Sequence, residues 1–320
     1  MIGIEIKAFI LSKKEKVSAC QDSYAINLAE GRFAIADGVS RSYHPEFVAQ
    51  KLCRDYVKEG FHDVSIPTLL RGLYEDWDSR SSAFESALTE EKRERALSRR
   101  NAIPPGASTF AFLHVNCLCS IAEFHVLGDS SIIYSPINGD VSFYNSNVSQ
   151  DEDGNQIVSF DNYPMFVCVN GASRGEIRHG TIPLEAGYLV LATDSVASWI
   201  YETMKEEPDL MDSLWAIKNN DTFAKLATDC RSVGKMDDDL TLMILRINKV
   251  SCPYIINRYL FEVPPVSLLE GLFPLPSLLL PDRVIAQDEM PGIELDTKIE
   301  EPSDKDKSTS LFRRIFGLWK

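Results

Sequence analysis

Residues 31–43 read GRFAIADGVSRSY, and residues 33–38 within them decide how the chain is interpreted. An apolar run that begins at Phe33 stops abruptly at Asp37-Gly38, and a polar, serine-rich segment follows. Asp-Gly is a common turn dipeptide, so one interpretation is a hairpin bend. The other is that Asp37 is a ligand held at the end of a strand.

The bulk composition is that of an ordinary folded, acidic protein. The 320 residues suffice for one large domain or two small ones with a sizeable core. Hydrophobic residues make up 44% and charged residues 25%, as in soluble globular proteins. The net charge of -14 argues against a general nucleic-acid binder, which would present a basic face. We therefore expect no nucleic-acid partner.

The seven cysteines are scattered, and no C-x-x-C pair occurs. This pattern indicates neither a disulfide framework nor a thiolate zinc site, so we expect a reducing, cytoplasmic compartment. Residues 1–16 lack a basic segment ahead of their apolar stretch and make a poor signal peptide. No uninterrupted apolar run has the length that spans a bilayer.

Short β-like runs recur up to residue 247, many of them rich in β-branched and aromatic residues. Helical spacing is predicted over residues 44–58, 66–99 and 221–233. The strands come in hairpin-like pairs with helices between the groups. This order predicts an α+β sandwich of antiparallel sheets for residues 1–248.

The composition changes after residue 248. Residues 249–307 are first rich in Pro and Leu and then charged, which predicts an extended strap followed by a linker. Residues 308–320 form a short amphipathic, cationic tail. This tail suits docking to a partner groove or a transient contact with a membrane surface, and a disordered tail is the alternative.

Carboxylates recur at the ends of the apolar runs. Each one alone has a structural explanation as a pre-strand residue, a turn residue or a helix N-cap. Two-sheet folds bring strand ends together along one edge, and clustered carboxylates repel unless a cation lies between them. Mg²⁺ and Mn²⁺ prefer such oxygen ligands, and a site with two of these ions is common in enzymes that act on phosphoryl groups. The set comprises Asp22, Asp37, Asp129, Asp194 and the run 237–239.

The motifs Q-D, A-D-G, G-A-S-T, G-D-S, A-T-D and D-D-L-T follow one another between residues 18 and 247. This order resembles the PP2C (PPM) family of metal-dependent Ser/Thr protein phosphatases, and in particular its bacterial-type branch. The resemblance implies an α-β-β-α sandwich of two antiparallel sheets flanked by helices. It also implies hydrolysis of phosphoserine and phosphothreonine by a water activated between two Mn²⁺ or Mg²⁺ ions, without a covalent phospho-enzyme. The implied partners are a phosphorylated protein substrate and a cognate Ser/Thr kinase.

The resemblance also implies a role for each matching residue. Asp37 resembles the aspartate that bridges both metals, and Gly38 the residue whose backbone carbonyl is a ligand. Asp194 and Asp238 resemble the remaining ligands of the first metal. Asp129 resembles a carboxylate linked to a third, more labile ion.

The other matching aspartate, Asp22, resembles the residue that orients the metal-bound water, so Asp22 and Asp37 are the expected catalytic residues. The chain departs from the family beside both of them. Gln21 stands where many members have Glu, and a neutral amide is a weaker ligand for a divalent cation. Ser40 and Arg41 replace the two glycines of the D-G-x-G-G loop.

The family's phosphate-binding Arg is missing. Lys14 or Lys16 could substitute as a point charge, and Arg41 is a further candidate for substrate binding, with a solvated loop residue as its alternative. His44 lies near this loop and is a candidate proton donor. These departures leave a second hypothesis open, a catalytically weak or inactive pseudo-phosphatase that acts as a regulatory binding module.

Overall fold

Two large sheets and six helices form the described part of the chain, which in this computed structural model comprises residues 1–13, 20–61, 67, 70, 72–154, 156–160 and 164–257. The helices are α1 (Pro45–Glu59), α2 (Leu73–Ser86), α3 (Glu90–Ala102), α4 (Asp194–Thr203), α5 (Leu210–Trp215) and α6 (Asn220–Ser232). The strands are β1 (Ile2–Leu11), β2 (Ser23–Asn27), β3 (Arg32–Gly38), β4 (Ala107–Asn116), β5 (Ile121–Leu127), β6 (Ser131–Pro136), β7 (Ser142–Tyr144), β8 (Val148–Gln150), β9 (Gln156–Val158), β10 (Val167–Cys168), β11 (Arg178–Pro183), β12 (Gly187–Ala192), β13 (Leu240–Lys249) and β14 (Tyr254–Asn257).

The strand order gives both sheets an antiparallel framework. The first sheet runs β14-β1-β13-β12-β6-β7, and only β14 lies parallel to its neighbour. The second runs β11-β5-β4-β3-β2, with β10 paired to β4. A separate hairpin joins β8 and β9. The sequence prediction of antiparallel sheets is confirmed.

Three clusters of buried side chains define the layers. The middle cluster joins the inner faces of the two sheets, for example Ile4 of β1 and Leu113 of β4. A second cluster, which includes the buried Trp199, packs the outer face of the first sheet against α4–α6. A third packs the outer face of the second sheet against α1 and α2, where Leu52 and Trp77 are buried. The layer order is α-β-β-α, as predicted.

Local sequence explains the boundaries of these elements. The helix predicted over residues 66–99 is two helices in its described part, because Thr89 adopts an extended backbone and begins α3 as its N-cap. The predicted boundary at residue 248 is followed by β14, which adds four residues to the first sheet. Most of the predicted strap and linker, and the tail 308–320, lie outside the described residues. Among the described helices, none is long and apolar enough to cross a membrane.

Candidate active site

Asp37 lies inside a strand and not in a turn. β3 continues through Asp37 and Gly38, which pair with Thr109 and Ser108 of β4. The Ser108 hydroxyl also donates to the backbone carbonyl of Asp37 at 2.8 Å. Gly38 has no positive φ, but a Cβ at this position would lie 2.8 Å from the backbone oxygen of Gln21. The hairpin interpretation is therefore wrong, and position 38 requires glycine for a close approach between chain segments.

The other carboxylates of the predicted set belong to the same edge of the two sheets. In the first sheet, β12 ends opposite the beginning of both β13 and β6, which brings the segments that carry Asp238, Asp194 and Asp129 together. In the second sheet, Asp22 immediately precedes β2, whose first residue pairs with β3 next to Asp37. We call these five residues the acidic edge.

Asp22 joins the two sheets at the acidic edge. It is only 4% exposed, and its Oδ2 accepts hydrogen bonds from the hydroxyl groups of Thr193 and Thr241, each at 2.9 Å. The Thr241 backbone N–H in turn donates to the Thr193 hydroxyl at 3.0 Å. Thr193 follows β12 and Thr241 lies in β13, both in the first sheet, whereas Asp22 directly precedes β2 of the second sheet. The other oxygen, Oδ1, is buried and has no hydrogen-bond partner among the described residues.

The electrostatics of the acidic edge disfavour five simultaneous negative charges. Burial raises the pKa of Asp37 well above its ordinary value, and the charges of four neighbouring aspartates raise it further. Burial, followed by the charge of Asp239, raises the pKa of Asp22 to about 8. Burial also raises the pKa of Asp194 to about 6, although the Ser195 N–H opposes this by donating to its Oδ1 at 2.5 Å. A divalent cation between these carboxylates would relieve the repulsion.

The acidic edge fits a hard divalent cation by the chemistry of its donors. Carboxylates and a backbone carbonyl are the ligands that Mg²⁺ and Mn²⁺ take. The partnerless Oδ1 of Asp22 and the repulsion among the carboxylates are the two features that a cation, or a water held beside it, would satisfy. No group of three or more His, Cys, Asp or Glu in the described part of the chain is arranged to hold a metal ion as it stands.

The predicted substrate-binding residues and the predicted proton donor are not part of the acidic edge as defined above. Lys16 lies within residues 14–19, outside the described residues, and Arg41 lies exposed in the turn after β3. His44 packs against aromatic rings, with its ring centre 4.7 Å from that of Phe47, and its Nδ1 lies 2.7 Å from a Glu46 oxygen. These contacts place His44 in the packing of α1 and α2, and its role as a proton donor stays a prediction.

Two further residues border the acidic edge: Lys13, which the sequence did not point to, and Asp239, which belongs to the predicted run 237–239. Lys13 follows β1, and its Nζ lies 3.8 Å from an Asp238 oxygen, where its charge lowers the pKa of Asp194 in part. Asp239 is buried and holds backbone N–H groups of two chain segments. The pairing of Leu11 with Leu240, which follows from two long apolar strands ending together, is the signal that would have located Lys13.

No protein-family model and no curated protein matches the chain. The catalytic domain of serine threonine protein phosphatase PstP, solved in complex with two manganese ions, is 12% identical, with 78% of this chain and 100% of that one covered and a TM-score of 0.48. A bacterial serine phosphatase is 11% identical, with coverages of 77% and 99% and a TM-score of 0.45. The S. agalactiae serine/threonine phosphatase is 17% identical, with coverages of 77% and 99% and a TM-score of 0.43. All three of these solved proteins are serine or serine/threonine phosphatases.

Proposed function

We propose that this chain is a phosphoprotein phosphatase that hydrolyses phosphoserine and phosphothreonine with the help of two Mn²⁺ or Mg²⁺ ions. The observation that carries the proposal is the convergence of five aspartates from both sheets on the acidic edge. Burying like charges together costs free energy, which a cation bound among the carboxylates would offset.

The metal ligands under this proposal are Asp37, the carbonyl of Gly38, Asp194 and Asp238, with Asp129 beside a third ion. When bound, the ions lower the pKa of a water and neutralise phosphoryl oxygens. The protein's own contribution is to hold these groups in place. The Ser108 hydroxyl fixes the backbone of Asp37, and the Ser195 N–H orients the Asp194 carboxylate.

Asp22 is the proton-handling residue under this proposal. Its Oδ2 is held by two threonine hydroxyls, so its Oδ1 is the atom that remains to accept a hydrogen bond or a proton from the attacking water. Lys13 and Arg41, with Lys16, are the cations that would meet the substrate phosphate.

A metal-dependence assay tests the proposal. Purified protein should hydrolyse p-nitrophenyl phosphate and a phosphoserine peptide in Mn²⁺, and EDTA should abolish both activities. Asp37→Asn and Asp194→Asn should each lose at least about a hundredfold in kcat, because each removes a ligand. The matched control is Asp140→Asn, an exposed aspartate in the turn after β6, which should retain full activity. Folded wild-type protein without activity in Mn²⁺ would reject the proposal.

The regulatory binding module is the second candidate, and one observation favours it. The Gln21 side chain, at the position where a carboxylate ligand would be expected, is hydrogen-bonded to Ser40. This candidate predicts that calorimetry finds no Mn²⁺ binding and that partner capture survives Asp37→Asn. The cognate kinase, the cytoplasmic location and the role of residues 308–320 stay predictions.

A further inference from the structure

Gln21 touches the chain segments that carry Asp37 and Asp238, one from each sheet. Its backbone N–H donates to Oδ2 of Asp239 at 2.7 Å, directly before β13. Its side-chain Oε1 accepts a hydrogen bond from the Ser40 hydroxyl at 2.7 Å, just after β3. Gln21 therefore connects the beginning of one strand to the end of another across the two sheets.

The Asp239 carboxylate is the buried end of this connection. Asp239 is 7% exposed, and its Oδ1 accepts from the Lys13 backbone N–H at 2.7 Å and from the Ser12 hydroxyl at 3.2 Å. Because backbone N–H groups approach both oxygens, an amide at this position would turn its own NH₂ group toward a donor. Position 239 therefore requires a carboxylate, and that carboxylate holds backbone in place.

Gly38 provides the third contact. An added Cβ at Gly38 would lie 2.8 Å from the Gln21 backbone oxygen, closer than side-chain carbons approach. Gln21 is thus in contact with β3 through its carbonyl, with the segment after β3 through its side chain, and with the segment before β13 through its N–H. The next residue along the chain is Asp22.

We propose that Gln21 is a positioning residue that holds Asp22 and Asp37, on the second sheet, in place relative to Asp238 on the first, with Ser40 as its matched partner. This inference rests on the proposed phosphatase function. Gln21 and Ser40 are both departures from the PP2C pattern, and the structure joins them in one hydrogen bond. The two changes are therefore one coupled feature, and the Gln21 amide serves the loop after β3 in place of a metal.

A double-mutant cycle tests this assignment with Gln21→Ala, Ser40→Ala and the double variant. Loss of one hydrogen bond should reduce kcat on p-nitrophenyl phosphate and weaken Mn²⁺ binding in calorimetry by about threefold to tenfold in either single variant, with KM little changed. The double variant should be no worse than the singles, because the same bond is lost in all three. Gln21→Glu keeps an acceptor for Ser40 and should retain wild-type kcat and Mn²⁺ affinity.

Two results would overturn the assignment. One is additive losses in the cycle, which would mean that the two side chains act separately. The other is tighter Mn²⁺ binding by Gln21→Glu together with a harmless Ser40→Ala, which would make position 21 a metal ligand. If the wild type neither binds Mn²⁺ nor hydrolyses phosphate, the proposed function fails. In that case, thermal unfolding of the same three variants tests the Gln21–Ser40 coupling on its own. Asp239→Asn should lower the unfolding temperature, because the Asp239 carboxylate holds backbone N–H groups.

Discussion

Replacing Asp22 by Asn should stabilise the metal-free protein. The substitution is isosteric, so the Asn carbonyl can take the place of Oδ2 and accept from Thr193 and Thr241, while the NH₂ group takes the place of the partnerless Oδ1. The two existing hydrogen bonds are thereby kept. What the substitution removes is a carboxylate whose charged form the fold disfavours.

The magnitude follows from the raised pKa of Asp22. Its pKa rises from 3.8 to about 8 on folding, so between these values the folded state keeps a proton that the unfolded state has released. Stability therefore falls as the pH rises through this window, by about 1.4 kcal/mol per pH unit and by about 4 kcal/mol in total at pH 7. The buried NH₂ group of Asn costs about 1–3 kcal/mol. We expect Asp22→Asn to be about 2 kcal/mol more stable than the wild type at pH 7 and about equal to it at pH 5.

Urea unfolding in EDTA at pH 5, 6 and 7 measures this difference. The matched variant Asp22→Ala should be about 2 kcal/mol less stable than Asp22→Asn, because both threonine hydroxyls lose their acceptor. In Mn²⁺ the wild type should gain stability and Asp22→Asn should gain less. An Asn variant that is no more stable at pH 7, with the same pH slope as the wild type, would refute the argument from charge repulsion.

Three further substitutions have outcomes set by local contacts. Gly38→Ala should lower the free energy of unfolding by about 1–3 kcal/mol and reduce activity, because its Cβ meets the Gln21 carbonyl; an unchanged melting temperature would contradict the close approach. Lys7→Met should destabilise by about 1–3 kcal/mol in urea without changing the Mn²⁺ response, because the buried Lys7 Nζ donates to two backbone carbonyls at the end of α5 and beyond it. Arg100→Leu should cost about 3–5 kcal/mol and leave kcat unchanged, because it strands the buried Glu85 carboxylate; a loss below about 1 kcal/mol would mean that the pair contributes little.

The fold was predictable because the pattern of apolar residues in the sequence indicates its buried strands and helices. β3 and β4 read as apolar runs, and their central residues are buried on both faces between the helices and the other sheet. The aspartates were predictable as a set because each ends or precedes such a run. Their convergence needed only the expectation that antiparallel strands align their ends.

The connections among these residues were not predictable from the sequence. Nothing local distinguishes Asp239 from Asp238, yet the first is buried and binds backbone while the second is partly exposed beside Lys13. Both residues precede β13, so the alternation of a strand does not decide which of them is buried. The Gln21–Ser40 bond joins residues 19 positions apart through tertiary contact, which no spacing rule reveals.

The hydroxyl of Thr193, at the beginning of α4, is hydrogen-bonded at the acidic edge and not to the helix. Thr193 is the N-cap of α4, and a threonine there ordinarily accepts a hydrogen bond from the first turn of the helix. In this chain its hydroxyl makes no capping bond and instead donates to Asp22 while accepting from the Thr241 N–H. The beginning of the helix is left to Asp194, whose carboxylate accepts from the Ser195 N–H and suits the positive end of the helix dipole. The Thr193 hydroxyl therefore serves the contact between the two sheets at Asp22 and not the helix, which makes Thr193 part of the support of the acidic edge.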